Sequence, residues 1–432
     1  MGAAPVPAAS PRISVIVPCY NVAATLARAL LSLQAQTMVE WEAVCVDDGS
    51  SDGSLAILRD FAAADQRFRI LHKANSGYGD SMNQGIRAAT GEWIAILEPD
   101  DWLLPAMFAT MLAFAARYDQ TGAVVEIVKT PYWRVLRGDG SGQAPDRAGR
   151  KGAGQAIEKA PTHNLNCSYR HRIKPARQPF EIDQAWHLLT HHPSIWSALY
   201  RRSFLQTKRI EFAKIPGAGW ADNPFLFETL VSAERIVYLD EPFYCYQEET
   251  DAEFEAAMRR DPLLPFRRWQ DCYEVLVKLG RAHDQLLQRA LYSRGFTYLG
   301  GVLGALGIAL ESVEAPEEIA DRVRNDDIGG SELSFSQLDS SPRHPELDSG
   351  SLPEPLVEAI QAMCAKMDPE TVLAEPELSP AMKRLFLRVR DLPDRKIATS
   401  SYRASLFRQG LYNLRNVGLS QTWKQVKATL SR

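Results

Sequence analysis

The chain lacks the signatures of several large protein classes. It has no basic excess: 49 Lys and Arg against 53 Asp and Glu give a formal net charge of -4, so nothing in the balance calls for nucleic acid as a partner. It has no C-x-x-C pair. Its six cysteines (Cys19, Cys45, Cys167, Cys245, Cys272 and Cys364) are scattered. Cys19 and Cys45 lie in or beside apolar runs that read as buried strands, which suits reduced thiols in a cytosolic protein. It has no apolar run long enough to span a bilayer: Phe296 to Leu310 is about 15 residues and Gly-interrupted, where roughly 20 are needed, so a buried helix is expected there. Met1 to Pro11 is rich in Ala and Pro without a cationic or apolar signal region, and reads as a disordered leader. No G-x-G-x-x-G follows the first strand and no G-x-x-x-x-G-K-[ST] occurs, which argues against a dinucleotide dehydrogenase and a P-loop enzyme. His163, His191 and His192 come without E-x-x-H or H-x-x-x-H spacing and read as loop or packing residues. There is no internal repeat.

What the sequence has is a regular alternation. At 432 residues, 45% hydrophobic and 24% charged, two domains are the expectation. Short apolar runs alternate with amphipathic stretches from Ile13 onward, the pattern of an α/β protein with a parallel sheet covered by helices. Strands are expected at Ile13 to Val17, ended by Pro18, at Trp41 to Val46, near Phe68 to His72, at Trp93 to Leu97 and at Val124 to Val128. Helices are expected between them, then from Pro105 to about Tyr118 and over Ile182 to Thr190. The stretch Arg137 to Ala160 reads as a loop or weakly ordered insertion. From about Asp251 the pattern is helical, broken by a Ser/Pro/Asp-rich flexible linker near 325–355. The organisation expected is thus a leader over 1–11, an α/β domain over 12–250 and a mainly helical C-terminal region over 251–432.

In open α/β sheets ligands bind beyond the carboxyl ends of the strands. Three polar segments fall there: Cys19-Tyr20-Asn21, Asp47-Asp48-Gly49-Ser50-Ser51-Asp52-Gly53 and Glu98-Pro99-Asp100-Asp101. The last places three carboxylates within four residues, directly after the apolar run Ile94 to Leu97. Oxygen ligands at a strand end suit a hard divalent cation, which takes further oxygens from a diphosphate. An acidic turn capping the next helix fits the same four residues equally well. In the loop after the second strand, short carboxylates can accept from a base N–H or ribose hydroxyls, with Asp48 the candidate for ligand contact and Asp52 for a structural part.

Four blocks together resemble one family. Val15 to Asn21, Val46 to Gly53, Ala89-Thr90-Gly91-Glu92-Trp93-Ile94 and Leu97 to Trp102 stand in the order and spacing of the family 2 glycosyltransferases of bacterial polysaccharide type. The likeness continues more loosely through Trp196 to Arg202, Asp222 to Phe225 and Tyr238 to Tyr244. It implies a GT-A fold, a mostly parallel sheet flanked by helices, and an inverting transfer of a sugar from a nucleotide-diphosphate donor to an acceptor hydroxyl. It implies that Pro18, Tyr20, Asn21, Asp48, Asn75, Gly77, Asn83 and Glu98 bind the nucleotide sugar. Asp100, helped by Glu98, would hold Mn2+ or Mg2+, and Asp222 would act as catalytic base. Two positions depart from the family pattern: Glu98 stands where the first Asp of D-x-D is usual, and Ala221 stands where a Glu often precedes the base.

Arg395 to Arg432 carries eight basic residues and no acidic one, interleaved with Tyr402, Leu406, Phe407, Trp423 and other apolar positions. Such a segment fits either an anionic membrane surface or a helix docked on its own domain. The first alternative suits a glycan or lipid-linked acceptor and a cytoplasmic protein peripheral at the inner face of the membrane. A sugar nucleotidyltransferase and a donor-binding protein without catalysis are the competing readings.

Overall fold

The structure, a computed structural model, describes residues 10–119, 122, 124–136, 164–167, 169–215, 217, 219–308, 352–392, 397 and 405–406. The chain divides into two compact units, Met1–Glu249 and Thr250–Arg432. The expected insertion at 137–160, nearly all of the linker near 325–355 and nearly all of the basic stretch 395–432 lie outside the described residues.

In the first unit the apolar runs become strands β1 (Ile13–Cys19), β2 (Trp41–Asp47), β3 (Phe68–His72) and β4 (Trp93–Ile96). A short β5 (Trp102–Leu103) follows, then β6 (Ile127–Lys129), β7 (Tyr132–Leu136), β8 (Asn164–Asn166), β9 (Ala198–Arg201), β10 (Ile236–Tyr238) and β11 (Tyr244–Glu248). Seven of them form one sheet in the order β10-β6-β9-β4-β1-β2-β3. Only β9 runs against the rest, antiparallel to both β4 and β6. Every residue of β1 and β2 is buried, as expected of strands covered on both faces. Helices α1 (Leu26–Gln34), α2 (Ser54–Ala64), α3 (Tyr78–Ala88) and α4 (Met107–Asp119) supply the crossovers. Leu26, Ala29, Leu30 and Leu33, spaced for one helical face, are the buried stripe of α1.

Pro18 does not end β1 as expected; the strand runs to Cys19, with Pro18 opposite Val46. Leu97 N–H donates to Ile16 C=O at 3.0 Å, so even-numbered residues of β1 face β4, and the β4 ladder stops at Ile16. The missing N–H of Pro18 lies on the β4 side, so the β1–β2 ladder loses no hydrogen bond to it. The expected helix at Ile182 to Thr190 is a kinked 3-10 segment, Ile182–Leu189. The Thr90-Gly91 turn before β4 has a structural role. Ser14 Oγ accepts from Gly91 N–H at 2.8 Å, and Glu42 accepts from Thr90 N–H at 2.7 Å, tying together the starts of β1, β2 and β4.

The remaining strands form a second sheet in the order β5-β11-β7-β8, with Trp102, Val135 and Cys245 buried in a core of its own. The second unit is helical in its described residues: Asp251–Arg260, Leu264–Lys278, Gln285–Leu306, Glu354–Ala365, Pro369–Ala374 and Pro380–Val389. A capping box of Thr250 and Glu253 starts the first of these. The apolar stretch from Phe296 falls in the third, which packs Leu291, Phe296 and Leu299 inward. No helix among the described residues is long and apolar enough to cross a membrane.

Candidate active site

Register brings the polar segments to one edge. Cys19, Asp47 and His72 lie side by side at the carboxyl ends of β1, β2 and β3, and β4 ends beside them at Ile96. The four loops that leave these strands hold most of the residues picked out above.

Asn21 sits in the left-handed region at φ 54. Its Oδ1 accepts from Ser51 N–H at 2.9 Å and Asp52 N–H at 3.3 Å, and its own N–H donates to Ser50 Oγ at 3.1 Å. Asp52 completes this clasp by accepting from Ala23 and Ser54 N–H, the structural part expected of it. Between the clasped loops Tyr20 projects, 52% exposed, while Pro18 is buried in β1.

Asp48 is occupied. Its Oδ1 accepts from Ser76 N–H at 2.8 Å and from Lys73 Nζ, and its Oδ2 from Gly77 N–H at 2.9 Å. The carboxylate therefore shapes the 73–77 loop, on which Asn75 is exposed. The neighbour passed over in the sequence, Asp47, is fully buried, and its Oδ1 has no hydrogen-bond partner while Oδ2 faces His72 Nδ1 at 2.6 Å. A buried carboxylate oxygen without a donor is costly, so of the two acids Asp47 has the unspent acceptor.

Gly77, at φ 93, is the N-cap of α3, and a Cβ there would meet the Ile215 carbonyl at 2.7 Å. Only glycine combines that backbone with that approach. The next residue, Tyr78, donates its N–H to Gly217 C=O at 3.0 Å and its hydroxyl to Glu98 Oε1 at 2.5 Å. Asn83 exchanges two 2.8 Å hydrogen bonds with the Phe212 backbone and is 2% exposed. Its amide thus holds α3 to the segment leading toward Asp222.

The acidic turn is divided in its roles. Arg28, stacked 4.2 Å above Trp102, donates to the Asp100 carbonyl and fixes the turn from beneath. Asp101 does not cap the following helix, because β5 intervenes before α4. Its buried carboxylate accepts from Tyr244 Oη at 2.7 Å and Gln247 N–H at 2.7 Å, which fastens β11. Burial and then the charge of Asp100 push its pKa well above the usual carboxylate range.

Glu98 is half-buried. Burial, with the negative charges of Asp100 and Asp222, pushes it up to about 8 against the opposing hydrogen bond from Tyr78. Asp222 opens the helix Asp222–Ser232, where the N-terminal dipole favours a carboxylate. It follows two residues of left-handed backbone, Gly219 and Trp220, and buried Ala221. Phe225 anchors that helix by stacking on Phe212 at 3.9 Å. Glu98, Asp100 and Asp222 thus share one electrostatic neighbourhood with Tyr78. Tyr78 gave no signal in the sequence beyond its place after Asn75-Ser76-Gly77.

Among the described residues no group of three or more His, Cys, Asp or Glu could hold a metal ion unaided. Two carboxylates of the turn, Asp100 and Glu98, are what this chain offers a hard divalent cation. Burial first, and then the charges of Asp100 and Asp222, disfavour the charged Glu98 carboxylate, and a cation would offset both, so the residues fit a metal that takes its other oxygens from a diphosphate and water.

The mostly parallel seven-stranded sheet flanked by helices is of GT-A type. Residues 14–207 match the family described as Glycosyl transferase family 2. The chain is 29% identical over 252 residues to the uncharacterized glycosyltransferase EpsJ of Bacillus subtilis (strain 168), covering 57% of this chain and 65% of that protein. It is 26% identical over 235 residues to the uncharacterized glycosyltransferase YibD of Escherichia coli (strain K12), covering 54% and 61%. It thus spans less than two thirds of these relatives. In fold it is similar to S. aureus TarS 1-349, solved in complex with UDP, with a TM-score of 0.53 and 17% identity over 91% of this chain and 92% of that one.

Proposed function

We propose that the first unit transfers a glycosyl group, with inversion, from a nucleotide-diphosphate sugar to an acceptor hydroxyl in the synthesis of a surface polysaccharide or glycoconjugate. One observation carries this reading: Tyr78 donates its hydroxyl to Glu98 of the acidic turn and its N–H to Gly217 C=O in the loop that leads to Asp222, more than a hundred residues later, so the turn and that loop are joined through one residue. A lone acidic turn has no reason to recruit a second carboxylate.

In this reading the nucleotide lies along the carboxyl edge. The loop held by Asn21 and Asp52 and the loop held by Asp48 frame it, and Tyr20 and Asn75 are exposed on them. The UDP complex of the TarS relative in fold makes a uridine nucleotide the first to try. Asp100, assisted by Glu98, would hold Mn2+ or Mg2+, which when bound supplies Lewis-acid stabilisation to the departing diphosphate. Asp222 takes the proton of the acceptor hydroxyl. The acceptor oxygen then bonds to the anomeric carbon as the bond to the diphosphate oxygen breaks and its electron pair leaves with the nucleotide. No covalent enzyme intermediate is needed. Ala221 in place of an acid leaves Asp222 as the sole carboxylate at that helix start.

The test is release of nucleoside diphosphate from a panel of sugar nucleotides. Turnover abolished in Asp222→Asn with donor binding kept supports transfer. Pyrophosphate as the product would make the protein a nucleotidyltransferase, and tight binding without turnover a donor-binding protein.

A further inference from the structure

Helix α1 has a second buried face that apolar packing does not account for. Arg28 and Ser32 lie one turn apart on it, Gln36 continues the spacing just past its end, and all three are buried. Polar side chains are buried where they find partners. These three find them in the backbone of the segment that leaves the acidic turn. Arg28 Nη2 donates to Asp100 C=O, Ser32 Oγ accepts from Leu103 N–H at 3.1 Å, and Gln36 donates to Leu104 C=O at 2.9 Å and accepts from Phe108 N–H at 3.2 Å. The contacts run in the same order along both segments, so α1 lies against residues 100–108 in one register.

The Arg28 end of this ladder meets the candidate site. Its guanidinium lies 4.2 Å from the centre of the Trp102 ring and donates through Nη1 to Gln247 Oε1 at 3.5 Å. Gln247 in turn gives its backbone N–H to Asp101 and its side-chain amide to Val135 C=O of β7. One planar cation thus joins the Asp100 carbonyl, the ring two residues further on and β11. A lysine ammonium is a single point charge, whereas a guanidinium fork stacked on a ring can hold two acceptors in fixed directions. Half-buried Asp100 stands between buried Pro99 and buried Asp101, so the peptide that Arg28 holds is the one carrying the least covered residue of the three.

We propose that Arg28 is a positioning residue for Asp100: by fixing the Asp100 carbonyl it sets where that residue's carboxylate stands, and so how tightly the turn binds a divalent cation. Ser32 and Gln36 keep α1 in the register that delivers the guanidinium there. The physical reason is reach. An aspartate carboxylate stands one carbon from its Cα, so a rotated peptide displaces it, and groups that orient a metal ligand from behind typically carry about 10–100-fold in metal affinity. The inference rests on the reading of Asp100 as a metal ligand and adds a residue, seventy positions earlier in the chain, on which that role depends.

The experiment is titration of the full chain with Mn2+ in the presence of UDP, following loss of the free-ion signal by electron paramagnetic resonance. Wild type, Arg28→Met, Arg28→Lys and Gln36→Leu are compared, each with its melting temperature. Arg28→Met should weaken Mn2+ binding about 10- to 100-fold, with Arg28→Lys between it and wild type. Gln36→Leu strips Leu104 and Phe108 of their partner at the far end of the ladder, and should lower the melting temperature while leaving Mn2+ affinity unchanged. If Arg28→Met is unfolded by circular dichroism, Arg28→Lys against Gln36→Leu makes the same comparison. Wild-type Mn2+ affinity in the Arg28 variants would overturn the proposal, and so would an equal loss in Gln36→Leu, which would mean that any loosening of the segment suffices. A wild type that binds no Mn2+ with UDP removes the metal reading itself, whereas Mn2+ binding indifferent to Arg28 removes only the role of Arg28.

Discussion

Asp48→Ala separates a scaffold acid from a ligand contact. The wild-type carboxylate, 4% exposed, serves two backbone N–H groups and the largely buried Lys73 ammonium. Removing it leaves two amide donors without an acceptor, at roughly 1–3 kcal/mol each when water cannot replace it. It also leaves a partly buried cation without its principal partner. Lys73 retains Ser76 Oγ and, at 3.8 Å, Asp80, so the ion-pair loss is well below the full cost of breaking a buried pair. A loss of about 3 kcal/mol is therefore expected. For a unit of this size that lowers Tm by about 6–12 °C. The measurement is thermal unfolding without any nucleotide, since a residue that only contacts ligand cannot move the melting point of the free protein. Asp48→Asn, which keeps one acceptor oxygen but sets an NH2 against a donor, should fall between. A free-protein Tm within 2 °C of wild type in Asp48→Ala, on the scale of about 1 kcal/mol or less, would refute the reasoning.

Three further outcomes follow from the same contacts. Asp101→Ala should destabilise the free protein by about 2–3 kcal/mol, because Gln247 N–H and the Tyr244 hydroxyl lose their acceptor, while Asp100→Ala should leave stability within about 1 kcal/mol and remove turnover; denaturant melts beside product assays check the pair, and matching effects would contradict it. Tyr78→Phe deletes one hydroxyl from Glu98 and should lower kcat about tenfold with donor KM little changed; a rise confined to KM would place Tyr78 in simple donor binding. Lys129, 1% exposed beneath Ser194 and Ser197, is pushed by burial down to about 7. Its folded pKa lies below the unfolded value of about 10.4, so the unfolded chain holds the extra proton between them and this residue's contribution to stability rises with pH across that window. The stability of wild type relative to Lys129→Met should accordingly increase by up to about 1.4 kcal/mol per pH unit above pH 7 in urea melts, and a difference independent of pH would contradict the burial argument.

Five strands of the large sheet, β1 to β4 and β6, were readable because they are local apolar runs separated by amphipathic helices, whereas β9 and β10, only four and three residues long, were not. Nor was the second sheet. Trp102–Leu103 is two residues long, and β7 and β11 pair with each other from more than a hundred positions apart. The acidic loops were legible as types, since carboxylates at strand ends are conspicuous, but the assignment of individual acids was not. What occupies Asp48 is the amide pair of Ser76 and Gly77, and what occupies Asp101 is Tyr244, contacts set by loop geometry that no periodicity encodes. Asn83, which the resemblance made a nucleotide-sugar ligand, has its side-chain amide paired with the Phe212 backbone. Pro18 was read as a stop because proline lacks a donor; the strand tolerates it because β4 has already ended on that side.

The central claim is that Asp222 and the acidic turn work as one catalytic site on a nucleotide-sugar donor. The most direct measurement is single-turnover release of nucleoside diphosphate by wild type and Asp222→Asn, with donor affinity measured on the same samples. The account predicts a loss of about 10²–10⁴-fold in rate, the range for removing a general base, at unchanged donor affinity. An Asp222→Asn protein that turns over at the wild-type rate, or a wild-type protein that binds no nucleotide sugar, would contradict it.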